Sequence, residues 1–246
     1  MEEMTFVADC LQPVSAYLFA NSPFKKGFPV GKNNLRNIIW ENTDNVRCRN
    51  LIDHKIGSPE GLIDRYIEYV ISTPGMFQLD RSGAVTSTKT SIGARLQELD
   101  DSGTIQNQDI QAALHQIFTN VRLKHLVEGR GADRPPLGYE MAPVAVWTGI
   151  LTVQTVRDEI LNTVKNWSFN DRNRFNKAAL LLDDSQAGPE GTLYGEWNQW
   201  FGDLALRGLQ QRGLGEEIFF EGFYNTIMLK GPFSLQIQEN AKKDNS

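Results

Sequence analysis

Apolar residues recur at spacings of three and four along most of this 246-residue chain, the period of one face of an α-helix. The opening run from Met4 to Ala20 has a helical tendency interrupted by Pro13, and NSPFKKGFPVGKN after it has the Gly, Pro and Lys content of a loop. A short helix is expected from Asn34 to Glu41. Ser58-Pro59-Glu60 predicts another helix start: Ser caps free amides, Pro suits the first turn, and Glu sits at the positive end of the dipole. Leu62, Tyr66, Ile67, Val70 and Ile71 share one side of that helix until Thr73-Pro74-Gly75 stops it. Residues 88–102 predict the next, with Ile92, Leu96 and Leu99 in one stripe and Gly103 at its end. From Asn107 the spacing passes through Ile110, Leu114, Ile117, Phe118 and Val121, which predicts one long helix lasting until Gly129.

The second half changes texture. GRGADRPPLGYEMAP is dense in Gly, Pro and charge, and it marks the best candidate boundary. Pro143 then opens the apolar run APVAVWTGILTV, which is expected to continue as one buried central helix through Val156, Ile160, Val164 and Trp167. Ser168 followed by Asp171 has the form of a capping box, with Phe175, Ala178, Ala179 and Leu182 at core spacing behind it. A further helix aligns Trp197, Phe201 and Leu204 and closes at Gly213. Residues Ile218 to Leu229 suit strand or helix equally, and QENAKKDNS reads as a polar tail.

The pattern predicts a mainly α, multi-helix protein with at most a small β-hairpin around FQLDRSGAV. Three segments follow: a basic N-terminal segment over residues 1–57, a helical region over 58–131, and a C-terminal helical domain over 132–246. Hydrophobic residues make up 40% of the chain, enough for a core without staples. No apolar run reaches the roughly 18 residues of a membrane span, and the MEEM start is acidic rather than a targeting signal. With only two cysteines, Cys10 and Cys48, a reducing, cytoplasmic location is expected.

Net charge is −5, which argues against a uniformly basic polyanion binder. The charge is unevenly spread. Lys25, Lys26, Lys32, Arg36, Arg47, Arg49 and Lys55 face only Glu41, Asp44 and Asp53 over the same stretch, an asymmetry able to focus an anionic partner.

The sharpest local signal lies at TKTSIGARLQELDDSGTI. Thr88, Thr90 and Ser91 precede an amphipathic helix carrying Ile92, Leu96 and Leu99 and closing in Asp100, Asp101, Ser102, Gly103 and Ile105. This resembles the second half of helix-turn-helix and winged-helix DNA-binding domains, over about residues 60–105. The resemblance implies that a helix N-terminus approaches phosphates, with Lys89, Thr90, Ser91 and Arg95 as nucleic-acid contacts. Lys25, Lys26, Lys32, Arg36 and Arg47 would form a second contact area. ELDDSGTIQNQD also has the outline of a calcium loop, but it begins with Glu98 where Asp is usual and ends with Asp109 where a bidentate Glu is usual.

RNLIDH, from Arg49 to His54, resembles the Arg, four residues, His signature of HEPN ribonucleases. That resemblance implies metal-free action on a scissile phosphate, with His54 moving a proton and Arg49 neutralising charge. Scattered Cys and His argue against a zinc site, and no Walker loop, dinucleotide fingerprint or nucleophile elbow occurs. No cofactor or metal is therefore expected. Trp197, Trp200, Phe201, Phe219, Phe220, Phe223 and Tyr224 suit a core or a homo-oligomer interface. The leading expectation is nucleic-acid binding; a HEPN-like ribonuclease and a non-catalytic structural or assembly subunit, viral or phage, are the alternatives.

Overall fold

The N-terminal segment folds as two short helices, α1 (Glu2–Cys10) and α2 (Gln12–Leu18), in the computed structural model, which describes residues 1–80 and 82–244. The break falls at Leu11, just before Pro13, which occupies the first turn of α2 where its missing N–H costs nothing. A hairpin of β1 (Phe24–Lys25) and β2 (Phe28–Pro29) follows. Its turn residues Lys26 and Gly27 have φ of 52° and 83°, positive at both centres as a two-residue hairpin turn requires. Helix α3 (Leu35–Glu41) is capped by Asn34, whose side chain accepts from the Asn37 amide. The chain then passes through a 3-10 turn at Leu51–His54 into α4 (Leu62–Ser72).

Strands β3 (Phe77–Leu79) and β4 (Val85–Ser87) pair antiparallel with Phe77 opposite Ser87, which is the hairpin expected at FQLDRSGAV. Helix α5 (Ile92–Asp101) is capped by Ser91 and packs on α4. A Cβ at Gly93 would stand 2.8 Å from the Ile71 carbonyl oxygen, so glycine is what lets α5 approach.

The expected long helix from Asn107 to Gly129 is not formed. Helix α6 spans only Asn107–Leu114, and the chain turns into a hairpin of β5 (Val121–Leu123) and β6 (Val127–Gly129). Tertiary pairing decides the outcome: the Phe118 and Asn120 amides donate to the Arg47 and Arg49 carbonyls, each at 2.8 Å. The three-and-four spacing of Ile117 and Val121 thus belongs to a loop and a buried strand.

The expected central helix is also divided, into α7 (Ala142–Thr152) and α8 (Gln154–Val164), at an extended Val153. Next come α9 (Phe169–Ala178), with its capping box at Ser168 and Asp171, and the long α10 (Tyr194–Arg212), closed by left-handed Gly213. The Ile218–Leu229 stretch resolves as a 3-10 turn and helix α11 (Glu221–Lys230). The region read as a polar tail is mostly helix α12 (Phe233–Lys243). Its inward residues are polar, which hid the pattern: Gln238 is buried and clasps the Gly31 backbone, accepting from its N–H at 2.7 Å and donating to its carbonyl at 3.0 Å.

Twelve α-helices and three small two-stranded sheets are thus present among the described residues, a mainly α fold. The deepest packing joins α7 to α10, where a Cβ on Gly208 would lie 2.1 Å from the Gly149 carbonyl oxygen. Trp167, Phe175, Tyr194, Trp197 and Phe201 form an aromatic cluster, edge-to-face except for the stacked Trp197–Phe201 pair. Trp197, Phe201, Phe220, Phe223 and Tyr224 are buried, and Phe219 is exposed. Helix α1 is fully involved in the core, touching α4, both strands of the β5–β6 hairpin, α7 and α8. No helix among the described residues is long and apolar enough to cross a membrane.

Candidate functional site

The β5–β6 hairpin concentrates charge. Arg122 grips Glu128 at 2.8 and 3.0 Å while donating to the Ile117 carbonyl at 3.0 Å. Lys124 and Arg130 add contacts to Glu128, both at 3.1 Å. Burial is the largest single influence on Glu128 and pushes its carboxyl up. Hydrogen bonds from Arg122 and Lys124, with the charges of Arg122 and Arg130, outweigh it and hold the group at about 2. The hairpin is thereby a rigid, cation-rich mount.

Its exit, Arg130-Gly131-Ala132-Asp133, is fixed from three directions. The Arg130 amide donates to the Asn120 carbonyl at 2.8 Å. Arg36 on α3 donates to the Arg130 and Gly131 carbonyls, the latter at 3.1 Å. Asp133 accepts from the Asn21 amide at 3.2 Å and the Ser22 hydroxyl at 2.5 Å. Burial lowers the pKa of Arg36, with the Asp133 charge opposing and Arg130 adding to that effect.

Arg36, Trp40, Arg130 and Phe118 form a column. Arg36 and Arg130 lie 5.7 and 5.5 Å from the Trp40 ring centre, and Arg130 lies 5.7 Å from that of Phe118. Beside the column is a small polar recess of about 20 Å³, room for about one water-sized group, lined by Gln12, Asn37, Trp40, Glu41, Asn120 and Asn176, with Gly131 at its wall. Four buried atoms here have no hydrogen-bond partner among the described residues: Gln12 Oε1, Trp40 Nε1, Asn120 Oδ1 and Arg130 Nε. Such groups are costly unless something bonds them, and three of the four belong to side chains that line the recess, which marks it as a place for a small polar group. The donors suit a carboxylate, and the acceptors suit an ammonium. No group of three or more His, Cys, Asp or Glu side chains able to hold a metal comes together among the described residues.

The residues expected from sequence are dispersed. Lys25 and Lys26 are exposed on the β1–β2 hairpin, and Lys32 pairs with Asp183 at 3.2 Å. Arg47 is buried, bonded to Asp44 at 2.6 Å and to the Pro74 carbonyl. Lys89 and Thr90 are exposed, Ser91 caps α5, and Arg95 pairs with Glu98 at 2.9 Å. Arg49 turns to Asn45 and Glu41, at 2.9 and 3.6 Å. His54 stacks on Tyr69 with ring centres 4.2 Å apart, and its Nε2 donates to the Cys48 carbonyl at 2.7 Å. Of this set, the structure brings only Arg36 into the column, while Arg49 reaches the recess indirectly through Glu41. Gln12, Trp40, Asn120, Glu128, Arg130 and Gly131 were missed. The alternation of cations in VRLKHLVEGR was the one available signal.

Comparison with known proteins turns this geometry toward small-molecule chemistry. The model of the glutamate-cysteine ligase family 2 (GCS2) matches residues 3–199. The chloroplastic glutamate–cysteine ligase of Nicotiana tabacum is 30% identical over 226 residues, 88% of this chain and 41% of that protein. Glutamate–cysteine ligase A, chloroplastic, of Oryza sativa subsp. indica is 33% identical over 170 residues, 66% of this chain and 33% of that protein. The chain therefore spans about two fifths or less of the length of these relatives. These matches overturn the resemblance to helix-turn-helix and winged-helix domains, and with it the nucleic-acid reading and its HEPN-ribonuclease and assembly-subunit alternatives. The structure shows why the pattern misled: the place of the supporting helix between α4 and α5 is taken by the β3–β4 hairpin. A match over most of the chain and a 30% identical relative agree on one assignment, and the chain belongs to the glutamate-cysteine ligase family 2.

Proposed function

We propose that this protein takes part in glutamate–cysteine ligation, and that the Arg130–Trp40 column with its recess holds an amino-acid substrate. The observation that carries the reading is a recess lined by three side chains with unpartnered buried polar atoms, next to a tryptophan that two guanidiniums approach, in a chain of the ligase family. Glutamate is the substrate in the relatives' names with two carboxylates, and the Arg130 cation, within 6 Å of the Trp40 and Phe118 ring centres, complements one of them.

Joining a carboxylate to an amine requires that a carboxylate oxygen leave, so the reaction draws on a phosphoryl donor. The chain's own residues bind and orient. Arg130 neutralises the carboxylate, Trp40 packs beside its guanidinium, and Arg36 holds the loop that carries both Arg130 and Gly131. Positioning of this kind supplies a large part of the barrier lowering in two-substrate reactions. We also place the protein in the cytoplasm, a reading supported by the two buried free thiols Cys10 and Cys48.

Equilibrium dialysis with labelled L-glutamate tests the reading. Binding that weakens about tenfold or more in Arg130→Leu supports it, whereas no binding by the folded wild-type chain contradicts it.

A further inference from the structure

The recess is more specific than an anion site, because two of the three unpartnered buried atoms on its lining side chains accept hydrogen bonds and one, Trp40 Nε1, donates. Gln12 is 2% exposed; its amide nitrogen is engaged by the Ala8 carbonyl at 3.3 Å, and its Oε1 is left without a partner among the described residues. Asn120 is 7% exposed; its amide nitrogen is engaged by Asn50 Oδ1 at 2.9 Å, and its Oδ1 is likewise left over. Both side chains line the recess, and Glu41 adds a carboxylate whose ion pair, to Arg49, spans 3.6 Å. Neither Arg36 nor Arg130 lines it. Two buried carbonyl oxygens without partners among the described residues, beside a carboxylate that shares its charge with Arg49, complement a small cation carrying several N–H donors.

We propose that Gln12 and Asn120 form a subsite for the primary ammonium of an amino acid, with Glu41 supplying the compensating charge. The proposal rests on the reading of the neighbouring column as the carboxylate site, and together the two would recognise the zwitterion. A primary ammonium offers three donors in a tetrahedral array, and charge-assisted bonds to it are stronger than those a neutral water would make. The subsite would therefore select amino acids over otherwise identical diacids. Gln12 and Asn120 would act as specificity-determining residues and play no part in the chemistry at the activated carboxyl.

The test uses isothermal calorimetry on the full chain with L-glutamate and glutarate, which share both carboxylates and differ in the amine. The expected result is a preference for L-glutamate of at least about tenfold, the worth of charge-assisted hydrogen bonds lost with the amine. Gln12→Met should shrink that preference to about threefold or less while glutarate affinity stays near the wild-type value. Equal affinity of the wild-type chain for the two ligands would overturn the proposal and identify the recess as a water site, leaving the carboxylate reading intact. An undiminished preference in a folded Gln12→Met chain would also overturn it. Failure of both ligands to bind would remove the carboxylate reading and this subsite together. The wild-type comparison decides even where the variant does not fold.

Discussion

Gly131 and Gln12 stand so close that a Cβ on residue 131 would lie 1.9 Å from Gln12 Oε1 and 3.1 Å from its Cδ. The hairpin exit and the start of α2 are thus built to each other's surface, and the glycine sets the wall of the recess. Gly131→Ala must displace the Gln12 side chain or the Arg130 loop. We expect a stability loss of about 1–3 kcal/mol, the usual cost of overpacking, with weaker L-glutamate binding than that loss alone explains. Thermal melts and calorimetry on the same sample check both, and a variant that binds as wild type would show that the wall does not shape the site.

Asp9 on α1 and Arg172 on α9 form an ion pair whose side chains are 1% and 3% exposed, and Asp9 also accepts from the Leu51 amide at 2.8 Å. Arg172 also sits 5.1 Å from the centre of the Phe6 ring. Removing one partner leaves a buried charge uncompensated, so Arg172→Met should lose about 3–5 kcal/mol in urea unfolding. The Asp9→Leu, Arg172→Met double variant should recover most of that loss. A single variant within about 0.5 kcal/mol of wild type would mean the pair is not closed in solution.

Glu128 gives a pH dependence with a defined sign. Its carboxyl is held at about 2 in the folded protein against an ordinary 4.5. A depressed folded value means that the group stabilises the fold fully above the unfolded value, and that this contribution fades as pH falls from about 4.5 toward 2. Acid unfolding of the wild type should steepen across that window, and Glu128→Gln should flatten it. Parallel stability curves for the two proteins from pH 5 to pH 2 would remove Glu128 from the account.

Much of the helical framework was legible because its signals are local. Ser168 with Asp171, the Gly213 stop and the stripe of Leu62, Tyr66 and Val70 each act within one or two turns of chain, and α9, α10 and α4 follow them. Even so, α4 begins after Gly61 rather than at Ser58. The failures come where distant segments decide. Residues 107–129 carry helical spacing throughout, yet backbone bonds from Phe118 and Asn120 to Arg47 and Arg49 turn the second half into loop and strand. The site was less legible still. Gln12, Trp40, Asn120 and Arg130 come from four separate stretches, and a lone Trp on a seven-residue helix reads as core. GRGADRPPLGYEMAP drew notice as a candidate boundary for its Gly, Pro and charge, which gave no sign that its Gly131 closely approaches Gln12.

The central claim is that Arg130, packed beside Trp40, receives the carboxylate of the substrate, and steady-state formation of the glutamate–cysteine product tests it most directly. L-glutamate, L-cysteine and a nucleoside triphosphate are supplied to wild-type and Arg130→Lys protein, and product is followed by mass spectrometry. A lysine keeps the charge but loses the planar fork that packs beside the indole, so the account predicts a fall of about tenfold or more in kcat/KM for glutamate. Equal kcat/KM for the two proteins would contradict it.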